Sequence, residues 1–187
     1  MIDKHSLRLK IKACKAMLDD AERIAAADAV FAAVEQSAAF MMAENVLMYH
    51  SLPDEISTRE FIDRWHTRKH FYLPRVNGVN LDILPYDRSR MHIGAFCIEE
   101  PTGDDVVDVD KIDLIVVPAV AYDRHGNRLG RGKGFYDRLL CEARATTMGV
   151  AYDFQLVDEV PAEEHDVAVH YVVTPSAFIN TKHSSGR

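Results

Sequence analysis

Residues 112–140 read IDLIVVPAVAYDRHGNRLGRGKGFYDRLL, and this stretch decides the fold. Residues 112–120 form a nearly continuous β-branched run, the pattern of a central parallel strand covered on both faces. Residues 122–134 are rich in Gly and Arg and read as a loop; residues 136–145 read as a helix. Within the loop, Gly130, Gly132 and Gly134 alternate with Arg131 and Lys133 between a buried strand and a helix start. Glycines let backbone N–H groups approach an anion closely, and a helix N-terminus adds partial positive charge. Arg128, Arg131 and Lys133 add full charges, which makes the segment a candidate polyphosphate cradle at the end of a core strand. Its alternative is a Gly-rich surface turn. Neither the P-loop nor the dinucleotide pattern fits: five residues separate Gly126 from Gly132, and the glycine spacing is GxGxG.

Outward from this centre, strand and helix patterns alternate. Leu7, Ile11, Cys14 and Leu18 lie on one helical face, beside a basic stripe of Lys4, Arg8, Lys12 and Lys15. A second helix is predicted over 28–42 with Asp28 as N-cap. Residues 45–50 (NVLMYH) read as a short buried strand, and Ser57 with Glu60 as a capping box opening a third helix. Strands are predicted at 70–73, 81–84 and 91–98, with a turn at Asn77-Gly78, and again at 147–152 and 167–173. The fold class is α/β: a layered α/β/α domain with a mostly parallel central sheet, one domain over 1–187 with a frayed tail at 182–187.

Composition narrows the function. The chain has 187 residues, with 48% hydrophobic and 27% charged, in the range of a soluble globular domain. Lys plus Arg total 22 against 29 for Asp plus Glu, a net charge of −7, which argues against general nucleic-acid binding. The longest apolar run, 114–122, has nine residues and contains Pro118, far short of the roughly 20 a membrane helix needs. The basic N-terminus has no apolar block of a secretory signal. Cys14, Cys97 and Cys141 form no CxxC pair, so a reduced, cytoplasmic protein is expected. No HExxH or GxSxG motif occurs, and Asp104, Asp105, Asp108 and Asp110 lack the glycine and closing Glu of an EF-hand.

Three carboxylates remain as candidates. With no Ser or Thr after Lys133, a magnesium ion would need other oxygens: Asp137 in the helix's first turn, or Asp166 ahead of the last strand. Either residue could equally serve structure, Asp137 as a complement to the helix dipole. Glu55, in a polar loop beyond a strand end, could orient an N–H-bearing ring or remain a solvated acid.

Residues 112–140 resemble the signature of the 5-formyltetrahydrofolate cyclo-ligase family. So do, in order, Lys4-His-Ser-Leu-Arg8, Pro53-Asp-Glu-Ile-Ser-Thr58, Leu73-Pro-Arg-Val76, Ile98-Glu-Glu-Pro101, GVAYDFQLV at 149–157 and Glu164-His-Asp166. The resemblance implies an ATP- and Mg²⁺-dependent ring closure and a fold similar to sugar-phosphate isomerases and CoA transferases. By matching position, Lys4, Arg8, Arg128, Leu129, Gly130, Arg131, Gly132, Lys133, Gly134, Phe135 and Tyr136 would contact ATP. His50 and Glu55 would face the folate, with Arg131, Gly132, Lys133, Gly134 and Phe135 near both ligands. Asp137 and Asp166 would hold magnesium; Lys133, Arg131 and Glu55 would carry the chemistry. The implied partners are small molecules only, ATP and 5-formyltetrahydrofolate including polyglutamate forms, acted on by a monomer. Ala119, Cys97, Phe135 and Lys15 depart from the family pattern of Gly, Gly, Tyr and Arg. Two other classes stay open: an isomerase- or transferase-like enzyme working without ATP, and a nucleotide- or folate-binding regulator without turnover.

Overall fold

A computed structural model describes residues 3–94 and 97–181. The expected frayed tail at 182–187 lies outside the described residues. The elements run α1 (Lys4–Ala16), α2 (Asp20–Gln36), α3 (Ala38–Met42), β1 (Asn45–Leu47), α4 (Arg59–Trp65), β2 (His70–Asn77), β3 (Asn80–Pro85), β4 (Met91–Ile93), β5 (Glu99–Pro101), β6 (Leu114–Val117), β7 (Ala121–Tyr122), β8 (Arg128–Leu129), α5 (Phe135–Glu142), β9 (Thr146–Val150), β10 (Tyr171–Thr174) and β11 (Ala177–Asn180).

The central sheet has the order β11-β10-β9-β6-β1-β2-β3, parallel except for the antiparallel edges β10–β11 and β2–β3. As the β-branched run predicts, β6 sits inside it, parallel to both β1 and β9. Its side chains alternate between two cores: Leu114 and Val116 meet α2, α3 and α4 on one face, and Ile115 and Val117 meet α5 on the other. All four are fully buried, the signature of a strand covered on both sides. Sequence neighbours diverge at β1: the chain adds β2 on one side and later β6, β9 and β10 on the other, so β1 and β6 flank the topological switch point where α/β sheets place ligands. Among the described residues no helix is long and apolar enough to cross a membrane.

Several predicted boundaries are corrected. The second helix starts at Asp20, not Asp28, because Asp19 and Glu22 form a reciprocal capping box; Asp28 is mid-helix and exposed. It also breaks at Ser37, whose extended backbone and side chain cap α3. The expected Ser57–Glu60 box is absent: α4 is entered from Thr58, whose hydroxyl donates to Tyr49 O (2.6 Å) and accepts from Ser51 N (3.2 Å), tying down the loop after β1. The strand predicted at 91–98 ends at Ile93 as β4, which pairs antiparallel with β5, beyond the predicted segment at Glu99–Pro101. The last parallel strand begins at Tyr171, not residue 167, because Val169 N is spent on Gly126 O. The expected loop at 122–134 contains the β7–β8 pair, whose turn is built on Asp123. That carboxylate is fully buried and accepts from His125 N, Asn127 N, Asn127 Nδ2 and Val160 N, so it is committed to holding the turn.

Candidate active site

Chain reversal beyond β1 and β6 opens a cavity of about 680 Å³. Every residue proposed from the sequence for binding or catalysis lines it: Lys4 and Arg8 from α1, His50 and Glu55 from the loop after β1, residues 128–137, and Asp166. They are brought together from across the chain: Lys4 and Asp166 are 162 positions apart in sequence, and their Nζ–Oδ2 separation is 3.0 Å.

One half of the cavity is cationic. β8 leads into the glycine-rich bend, which is exposed at Arg131, Gly132 and Lys133. Gly134 adopts φ 68°, and a Cβ there would lie 2.8 Å from Arg138 Nη1, so this turn into α5 is built for glycine. Gly134 gives α5 an N-cap with no side-chain cap, which leaves the helix's first N–H groups directed at the cavity end. Arg8 Nε donates to Gly130 O at 3.0 Å and fixes α1 against the bend. Arg128 is buried and pairs with Asp137; its Nε has no hydrogen-bond partner among the described residues.

Loop 51–58 forms the facing wall. Arg131 Nη2 reaches across to Asp54 (2.8 Å) and Glu55 (3.2 Å), and Asp54 in turn lies 3.4 Å from the buried Lys15 Nζ. Glu55 Oε2 accepts from Leu52 N (2.9 Å), and Tyr152 hydroxyl donates to its carbonyl, so the carboxylate is held in place rather than solvated. Burial opposes charge throughout this cluster, and the outcomes differ. It pulls Lys15 down despite Asp54; for Asp54 the Lys15 and Arg131 cations outweigh it and hold the acid low; for Arg131 the two acids outweigh it and hold the guanidinium high.

The other half is apolar, walled by Pro74, Val76, Leu81, Ile98 and Pro118, with His50 at its rim. His50 Nδ1 lies 3.0 Å from Glu99 Oε2 but off the line of a hydrogen bond, and it is otherwise unpartnered. Burial, followed by the Arg59 charge, lowers its pKa below the ordinary 6.5 and outweighs the pull of Glu99. The imidazole is therefore neutral at pH 7. Cys97, where the family resemblance leads one to expect glycine, adopts φ 58°, a left-handed conformation that glycine takes without penalty. Asp137 and Asp166 both face the cavity, each bonded to a cation: Arg128 for the first, Lys4 for the second. Lys4 also reaches Glu163 at 2.9 Å.

Sequence reasoning missed Glu99, Glu100, Tyr49, Glu163 and the apolar wall. Ile98-Glu-Glu-Pro101 stood out as a motif, but nothing local tells that its acids face inward. Such a cavity, cationic at one end and apolar with fixed carboxylates at the other, has the charge and lining to accept a phosphorylated group beside a flat ring.

Residues 1–175 match the model of the 5-formyltetrahydrofolate cyclo-ligase family. The chain is 37% identical over 146 residues to the 5-formyltetrahydrofolate cyclo-ligase of Escherichia coli strain K12, covering 73% of this chain and 80% of that one. It is 28% identical over 187 residues to the mouse (Mus musculus) protein of that name, covering 91% and 92%. The solved structure of Aquifex aeolicus 5,10-methenyltetrahydrofolate synthetase superposes with a TM-score of 0.88 at 30% identity, covering 98% of this chain and 94% of that one. The chain belongs to the 5-formyltetrahydrofolate cyclo-ligase family.

Proposed function

We propose that the chain catalyses the ATP-dependent cyclisation of 5-formyltetrahydrofolate to 5,10-methenyltetrahydrofolate, with release of ADP and phosphate. One observation carries this reading: a cationic glycine bend and an apolar, carboxylate-bearing wall share one cavity, so a triphosphate and a reduced pterin can lie against each other. An N-formyl group is an amide, with a weakly electrophilic carbon and a poor leaving group. Phosphorylation of its oxygen creates the leaving group, and nitrogen 10 then closes the ring. Positioning and charge neutralisation are the protein's main tasks in such a transfer.

In this reading Lys4, Arg8 and residues 128–136 hold the nucleotide. Arg131 and Lys133 offset charge on the transferred phosphoryl group. Glu55, held by Leu52 N and the Arg131 guanidinium, orients the pterin through its ring N–H groups. His50, neutral, lies at the folate end. Asp137 and Asp166 would hold Mg²⁺, which is commonly bound by one or two carboxylates together with substrate phosphates and water. Both carboxylates face the cavity, which supports the fit, although Arg128 and Lys4 would have to share or yield them. The ion would supply charge neutralisation at the phosphates.

The test follows the absorbance of methenyl-folate from 5-formyltetrahydrofolate with and without ATP and Mg²⁺. Turnover is expected only with both. Conversion of a sugar phosphate without ATP would favour the isomerase-like alternative, and ligand binding without ADP release would favour the regulator. Lys133→Ala should lower turnover by about 10²–10³-fold. Lys133 is exposed, so its melting temperature should stay within about 2 °C of wild type.

A further inference from the structure

Glu100 is 4% exposed, yet no lysine, arginine or histidine among the described residues forms an ion pair with its carboxylate. Its Oε1 accepts from Val76 N at 3.0 Å, and Oε2 lies against Gly94, where a Cβ would come within 2.0 Å of it. The residue borders the apolar half of the cavity with Val76, Leu81, Ile98 and Pro118. A buried carboxylate without a cation is costly, and elsewhere in this site each acid has one: Asp137 with Arg128, Asp166 with Lys4, Glu55 with Arg131. The unbalanced charge at Glu100 matches something a ligand brings.

Resting on the cyclisation reading above, the chemistry says what that is. Ring closure forms a bond from nitrogen 10 to the formyl carbon. The bond from that carbon to the phosphorylated oxygen breaks, and its electron pair leaves with phosphate. Nitrogen 10 carries one hydrogen too many for the product, so a proton must go, and the product ring is an amidinium cation. We infer that Glu100 accepts the nitrogen 10 proton as the ring closes, from the half of the cavity that carries the pterin. The mechanism otherwise names a holder for every group except this proton. Oε1 is taken by Val76 N, so Oε2, the oxygen beside Gly94, is the one that would receive the proton.

Glu100→Gln keeps the size and the acceptor for Val76 N but removes the base. Wild-type enzyme and E100Q are mixed with ATP, Mg²⁺ and 5-formyltetrahydrofolate, and the first turnover is quenched and assayed separately for ADP and for methenyl-folate. E100Q is expected to form ADP within about threefold of the wild-type rate while ring closure slows by about 10²-fold, the low end of general-base contributions. Its melting temperature should equal or exceed wild type, because a buried charge is gone. Equal slowing of both products, near-normal ring closure, or an unfolded E100Q would each overturn the proposal, the last by assigning Glu100 to holding β5 on β2. Absence of methenyl-folate from the wild-type enzyme would instead overturn the cyclisation reading itself.

Discussion

His50 shows how burial turns a common residue into a pH-sensitive one. Its folded pKa is depressed, first by burial and then by Arg59, against the opposing pull of Glu99 and Asp63. Between that lowered value and 6.5 the unfolded chain binds the proton and the folded chain does not. His50 therefore contributes a stability that is present above pH 6.5 and lost as the pH falls through the folded value. Histidine-to-asparagine substitution at this position should flatten the fall in unfolding free energy between pH 7 and 5.5, read as the difference between variant and wild type in urea melts. A parallel fall in both proteins would show that His50 is exposed to protonation in the folded state. Lys4 and Arg8 shared a helical stripe and entered the site only through the family resemblance, whereas the alternation of Gly130, Gly132 and Gly134 with cations was plain from the chain. Lys15 was not. It shares the helical stripe of Lys4 and Arg8, yet it is 5% exposed and bound to Asp54, because α1 packs that end against loop 51–58.

At the scale of elements, the site depends on how the core strands end. Pro118 stops β6, and Tyr122 hydroxyl donates to Val117 O just before it, so the chain leaves the sheet at a fixed place. That tyrosine lies over Gly149 in β9: a Cβ there would sit 2.4 Å from its ring carbon Cζ. Gly149→Ala must push the ring aside and with it the strand end that floors the cavity. Overpacking of this kind costs about 1–3 kcal/mol, which for a chain of this size lowers the melting temperature by about 2–12 °C. An unchanged melting curve would show that the ring has room to move. The alternation of β6 between two cores could be read from its β-branched run. The early end of the predicted 91–98 strand at Ile93, with β5 starting only at Glu99, could not, since an apolar run does not say where a ladder partner is lost.

On the scale of the whole molecule, the cavity draws on α1, the loop after β1, the β2–β3 pair, β5, the glycine bend and the segment before β10. Ligands that bridge these segments should stabilise the folded chain as a unit. ATP with Mg²⁺ and 5-formyltetrahydrofolate, each at about 100 times its dissociation constant, should each add about 2.7 kcal/mol, or about 5–11 °C in a thermal melt. No shift with either ligand would mean the cavity does not bind them. The sequence by itself determined the α/β class and the core strand with its glycine bend, because periodicity and short motifs are local properties of the chain; the family resemblance, not the local pattern, implied that widely separated side chains share one site. Only the tertiary structure decided which charges neutralise each other, why Glu100 is left without a cation, and where the second helix and fourth strand begin and end. Pairing and burial depend on segments tens to more than a hundred residues apart, and the free energy of a charge is set by what folds against it.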